Sequence, residues 1–272
     1  MSRIETTFAR LKEARRPGLV TYVTAGDPDA AASARILIAL AEAGADILEV
    51  GVPFSDPLAD GPVIQRATER ALAAGMTLRG TLDLIRTVRA AVETPIVLFT
   101  YANPVVRMDP VVFARAAKDA GVDGVLILDY PVEEAEPLRA PMLAAGLDPI
   151  FLISPTTTDE RIRRSGELGR GFLYVISRLG VTGVRDQLSA DVSSMVARVR
   201  AQSTLPVAVG FGISTPEHVA QACESADAAV VGSALVKVLA AHCAAHGVGG
   251  DGGPDDLAGR AGAYVRWLKG VV

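Results

Sequence analysis

A carboxylate sits inside a run of strand-forming residues, Ile47-Leu48-Glu49-Val50-Gly51-Val52. Eleven residues later a second one, Asp60, precedes Gly61-Pro62. Burying an ionised Glu without a partner costs several kcal/mol and drives its pKa upward instead. Glu49 therefore reaches solvent, pairs with a cation such as an Arg, or does acid–base work. Asp60 has two readings, a helix cap ahead of a first-turn proline or a catalytic carboxylate. A second constellation is glycine-based: Gly210-Phe211-Gly212-Ile213-Ser214 and Gly232-Ser233-Ala234. Small residues let backbone N–H groups approach an anion, and a short helix beginning near Ser233 adds the positive end of its dipole. The alternative is that these turns only need positive φ.

Other chemistries are poorly supplied. The four lysines are Lys12, Lys118, Lys237 and Lys269, and none ends a candidate strand, which argues against a Schiff-base aldolase. His242 and His246 stand at i, i+4 on a helix distal to the strand ends, a solvated face rather than a metal site. Cys223 and Cys243 lie in helical segments and read as idle thiols, not a disulfide framework. A net charge of −4 argues against nucleic acid or an acidic membrane as the main partner. No apolar run approaches the roughly 20 residues of a membrane span. The first residues, MSRIETTFARLKEARRPG, form a charged amphipathic helix without a secretory apolar region, so the expected location is cytoplasmic. Carbon–carbon chemistry in this chain would rest on carboxylates.

Apolar runs bounded by Gly, Pro or Asp predict eight strands: Gly18–Ala25, Ile47–Val52, Pro95–Tyr101, Gly124–Leu128, Pro149–Ser154, Phe172–Ser177, Pro206–Gly210 and Ala228–Val231. Helical patterns alternate with them. Ala30–Ala43 carries Ile36, Leu37, Leu40 and Ala41 at 3.6-residue spacing. The others are Val63–Ala73, Leu78–Val92, Pro110–Ala120, Val132–Ala145, Asp159–Leu168, Asp191–Ala201, Pro216–Cys223, Leu235–His246 and Leu257–Lys269. Eight such alternations with no visible break predict one (β/α)8 TIM barrel domain over 1–272, with an N-terminal helix and an extra short helix after strand 8. Ala25-Gly26-Asp27-Pro28 is not the glycine fingerprint of a doubly wound sheet. A barrel works at the C-terminal ends of its strands. Glu49 late in strand 2 and Asp60 ahead of the next helix then share one rim. The glycine turns follow strands 7 and 8, where barrels often hold a phosphate. Two loops on this rim are long, Pro53–Gly61 and Arg178–Ala190; long loops at this face are usually lids or binding loops, the alternative being a passive insertion, and the second reads as a lid. Gly247–Pro254 reads as a flexible surface loop.

The segments LEVGVPFSDPLADGPVIQ, TYVTAGDP, SRLGVTG, GFGIS and VVGSALVK resemble the tryptophan synthase alpha chain family across nearly the whole sequence. The resemblance implies a (β/α)8 barrel that cleaves indole-3-glycerol phosphate to indole and glyceraldehyde 3-phosphate. It also implies an α2β2 complex in which the beta chain carries pyridoxal phosphate and receives indole through a channel; this chain itself needs no cofactor or metal. By position, Glu49 matches the family's general acid–base residue and Asp60 the carboxylate that holds the indole N–H. Tyr174 matches an active-site tyrosine, and Thr182 a threonine that closes toward Asp60. Gly183, Gly212, Gly232 and Ser233 match the phosphate-binding positions. Tyr22, Phe99 and Phe211 fall where the indole pocket is lined, although the family often has Phe at the first and Leu at the second. A carboxyl that alternates between acid and base needs apolar neighbours, and Ile47, Leu48 and Val50 are the expected walls. Two other functions remain open: a stand-alone lyase with the same site, and a non-catalytic phosphometabolite sensor acting on a beta chain. The presence of both carboxylates speaks against a pure sensor.

Overall fold

The computed structural model describes residues 1–176, 185–210, 212–246 and 256–270, with the side chains of 185–191 left aside. In chain order the elements are α1 (Arg3–Glu13), β1 (Gly18–Thr24), α2 (Ala30–Glu42), β2 (Ile47–Gly51), α3 (Pro62–Ala73), α4 (Leu78–Arg89), β3 (Ile96–Thr100), α5 (Ala102–Met108), α6 (Pro110–Ala120) and β4 (Gly124–Ile127). They continue as α7 (Glu136–Ala144), β5 (Asp148–Ile153), α8 (Asp159–Leu168), β6 (Leu173–Ile176), α9 (Arg185–Gln202), β7 (Val207–Gly210), α10 (Pro216–Cys223), β8 (Ala228–Val231), α11 (Ser233–His246) and α12 (Leu257–Leu268). The strands pair in parallel and in sequence order, and β8 returns to β1, which closes the barrel.

Side chains alternate across each strand, so every strand feeds two layers. Val20, Ile47, Val97, Leu126, Ile150, Phe172, Ala208 and Ala228 fill the barrel interior. From below, α1 inserts Ile4, Phe8 and Leu11 into that layer, with the rings of Phe8 and Phe172 at 5.6 Å. Leu19, Val23, Leu48, Val50, Ile96 and Leu98 point the other way, onto the helices. Three aspartates pin the strands at the end opposite the chemistry. Asp46, Asp123 and Asp227 accept the strand-start N–H groups of Leu19, Ile96 and Val207 at 2.8–2.9 Å. Arg16, Arg89 and Arg200 pair with the same three carboxylates.

Several expectations change. The segment after β3 holds a helix that periodicity does not reveal, α5, which is short and has Pro104 in its first turn. The pattern at Val132–Ala145 splits into a 3-10 turn, Val132–Glu134, and α7, with Pro137 in the first turn of α7. Helix α9 starts at Arg185 rather than Asp191, so the segment after β6 is shorter than expected. The helix expected near Ser233 starts there and runs on as 14 continuous residues. The candidate lid from 178 to 184 and the glycine-rich stretch 247–254 lie outside the described residues.

Candidate active site

Strand alternation decides what surrounds Glu49. Its side chain points into the barrel, beside Tyr22 on β1 and Val97 on β3 in register. Leu48 and Val50, two of the expected walls, face the outer helices instead, because neighbours one residue apart on a strand take opposite faces. The walls are Tyr22, Phe99, Tyr174, Leu128 and Leu152, and only Ile47, two residues back, shares the inner layer. Glu49 is 1% exposed. Neither of its oxygens has a hydrogen-bond partner among the described residues, so no described arginine pairs with it. Burial pushes its pKa up to about 8. At neutral pH the group is a carboxylic acid ready to give its proton.

Two glycines make room for the flanking tyrosines. A Cβ at Gly51 would overlap the Tyr22 hydroxyl, and one at Gly210 would overlap the Tyr174 hydroxyl. Gly210 thus serves the tyrosine rather than a turn. The Tyr22 ring meets Phe99 edge-on at 5.3 Å, and its hydroxyl lies 3.3 Å from Thr24 Oγ1. Burial raises the pKa of both tyrosines, with the nearby carboxylates adding to it, so neither phenol ionises near neutral pH.

Asp60 does not cap the helix that follows it. Gly61 occupies the N-cap of α3 with no side-chain cap bond, and Pro62 is the first helical residue. The Asp60 carboxylate instead accepts the Tyr101 hydroxyl at 3.0 Å. Burial raises its pKa, and the Tyr101 bond pulls it back toward the ionised form. Tyr101 also accepts the Ala59 N–H at 3.1 Å and packs its ring 5.1 Å from that of Phe54. One side chain at the end of β3 therefore ties down both ends of the long loop after β2. Gln65 adds a bond to the Asp60 carbonyl at 2.8 Å, and Arg70 of α3 forks onto Asp27 after β1 at 2.7 and 2.8 Å.

Glu49 and Asp60 line one cavity of about 620 Å³ at the C-terminal mouth of the barrel. Tyr22, Phe99, Tyr174, Gly212, Gly232 and Ser233 line the same cavity. Thr182, Gly183 and Phe211 lie outside the described residues. The far end of the cavity is formed by Gly212–Ser214, where Gly212 has φ 78°, and by Gly232–Ala234 at the start of α11. The first amides of a helix have no partner within the helix. This end therefore presents N–H donors and a positive dipole, while the Glu49 end is apolar with acid–base groups. Three residues at the site escape the sequence reading. Tyr101 is visible there only as the last residue of a candidate strand. Tyr264 of α12 donates to the Ser214 carbonyl at 2.8 Å across 50 residues of sequence. Lys237 reaches the cavity from α11, a helix and not a strand end.

Known proteins resemble this chain over nearly its whole length. The family model described as tryptophan synthase alpha chain matches residues 8–248. The tryptophan synthase alpha chain of Burkholderia mallei (strain NCTC 10229) is 51% identical over 240 residues, covering 88% of this chain and 89% of that one. The one from Geobacter sulfurreducens is 54% identical over 239 residues, covering 88% and 90%. Among solved structures, tryptophan synthase subunit alpha from Legionella pneumophila str. Paris superposes with a TM-score of 0.89 at 37% identity, covering 100% of this chain and 98% of that chain. An aminoacrylate-bound tryptophan synthase structure from M. tuberculosis gives 0.86 at 36% identity, with 100% of both chains covered. Sequence, barrel topology and cavity lead to one place: the chain belongs to the tryptophan synthase alpha chain family, and with it to tryptophan biosynthesis.

Proposed function

We propose that this chain cleaves indole-3-glycerol phosphate to indole and glyceraldehyde 3-phosphate by a retro-aldol step. The observation that carries this reading is Glu49, a buried acid with both oxygens unpartnered among the described residues, a pKa pushed up to about 8, and a cavity shared with Asp60. Glu49 gives its proton to indole C3, which makes the ring an indolenine cation. Asp60, held by Tyr101, accepts the indole N–H and stabilises that positive charge as it develops. Glu49, now a carboxylate, takes the proton from the hydroxyl on the glycerol carbon bonded to the ring. The carbon–carbon bond breaks, its electron pair returns to the ring as indole, and the glycerol carbon becomes the aldehyde. One proton enters and one leaves, so Glu49 ends the cycle as it began.

The remaining residues bind and orient. Tyr22, Phe99 and Tyr174 sandwich the indole, and Gly212, Gly232 and Ser233 present N–H groups to the phosphate. Thr182, Gly183 and Phe211 complete the set by family position. Indole passes to a beta chain that carries pyridoxal phosphate, in an α2β2 complex; this chain contributes no cofactor of its own. The test is cleavage of indole-3-glycerol phosphate by the purified chain, alone and with a beta chain. Strong activation by the partner is expected. High activity alone points to a stand-alone lyase, and no activity in either case sinks the catalytic reading.

A further inference from the structure

The cavity has a charge problem. On the function proposed above, a cavity that already holds the Asp60 carboxylate must accept a phosphate ester of charge about −1.5 to −2 near neutral pH. The chain as a whole carries −4. The turns at the anion end offer only backbone dipoles, equivalent to about half a charge at a helix N-terminus. Among the described lining residues one cationic side chain faces this cavity, Lys237.

Its placement is specific. Lys237 stands four residues after Ser233 on α11, one turn up the same helix face. Cα–Cβ bonds tilt toward the helix N-terminus, so its four-carbon stem leads back toward Ser233 and Gly232. Two other lysines are committed elsewhere: Lys118 donates to the Gly146 carbonyl, and Lys269 to the Gly44 carbonyl and Asp46. Lys237 is exposed and makes no hydrogen bond or ion pair among the described residues, so engaging a ligand breaks nothing.

We propose that Lys237 is a specificity-determining arm of the anion end: its ammonium folds over the cavity mouth and pairs with the substrate phosphate, selecting phosphorylated over unphosphorylated substrates. Backbone N–H groups fix where the phosphate sits. The lysine supplies the full positive charge that draws a dianion past the Asp60 carboxylate, and this contribution is screened by salt.

The test uses Lys237→Gln and Lys237→Arg in the full chain with its beta chain. Lys237→Gln lowers kcat/KM for indole-3-glycerol phosphate about tenfold, through KM, with kcat nearly unchanged, and flattens the fall of kcat/KM with salt. Lys237→Arg retains most of the affinity and the salt dependence. Turnover of unphosphorylated indole-3-glycerol is the same in Lys237→Gln and the unsubstituted chain. Calorimetric binding of glycerol 3-phosphate, which involves no bond cleavage, weakens by a similar factor in Lys237→Gln. That measurement stands even if no cleavage is found in any chain, and so separates this proposal from the catalytic one. Unchanged glycerol 3-phosphate affinity and salt dependence in Lys237→Gln overturn the role of Lys237, as does a loss confined to kcat.

Discussion

Replacing Glu49 by Gln should remove one source of the pH dependence of stability as well as most of the catalysis. The folded protein holds the Glu49 proton until about pH 8, while an unfolded chain releases it near the ordinary value of 4.5. Between these values the native state binds one more proton than the unfolded state, so this group makes the protein less stable as pH rises. The slope is about 1.4 kcal/mol per pH unit for one proton. From pH 5 to pH 7.5 the cost of keeping Glu49 buried grows by about 3 kcal/mol, and above pH 8 it levels off. A glutamine amide at this position cannot titrate. Urea unfolding of both proteins at pH 5 and pH 7.5, at one ionic strength, should show the Glu49→Gln variant gaining about 3 kcal/mol over the wild type across that interval. In the same variant, cleavage of indole-3-glycerol phosphate should fall by about 10²–10⁴-fold. In the wild type, kcat/KM should decline above about pH 8 as the donor proton is lost. A stability difference that moves by less than about 0.5 kcal/mol between the two pH values would mean that Glu49 is ionised and stabilised in the native state, which would refute the neutral-acid assignment.

Asp60→Asn should lose about 10²–10⁴-fold in kcat, since it removes charge aimed at the developing cation; a loss under about threefold in steady-state assays would leave Asp60 with a structural role. Tyr101→Phe deletes the bonds to the Asp60 carboxylate and the Ala59 N–H, each worth about 1 kcal/mol, and should lower kcat by about tenfold and the Tm by a few degrees. Normal kinetics in that variant would mean the loop positions Asp60 unaided. Gly210→Ala forces a methyl onto the Tyr174 hydroxyl and should destabilise by about 1–3 kcal/mol in urea unfolding. Adding Tyr174→Phe should recover part of that loss, and strict additivity of the two changes would show that the overlap is not what matters.

Much of the molecule was legible in its sequence because the signals are local. Apolar runs and 3.6-residue patterns found all eight strands and most helices, since burial on both faces of a barrel strand needs continuous apolar residues. The exceptions have local causes too. Helix α5 is too short to show a period, and Pro137 marks where the expected helix at Val132–Ala145 gives way to α7. At the site, a carboxylate inside an apolar run drew attention to Glu49, and the glycine turns after β7 and β8 marked the end of the cavity proposed to hold the phosphate.

Sequence alone left Glu49 free, paired or at work, and Asp60 a cap or a catalyst. Tertiary structure chose between these readings, because the deciding groups come from distant parts of the chain. Tyr101 claims Asp60 across 41 residues, Tyr264 claims Ser214 across 50, and the barrel interior leaves both Glu49 oxygens without a partner among the described residues. Spacing along a chain predicts which face a side chain takes. What waits on that face depends on curvature and closure, which bring the walls of Glu49 from neighbouring and opposite strands and so set the pKa that its chemistry requires.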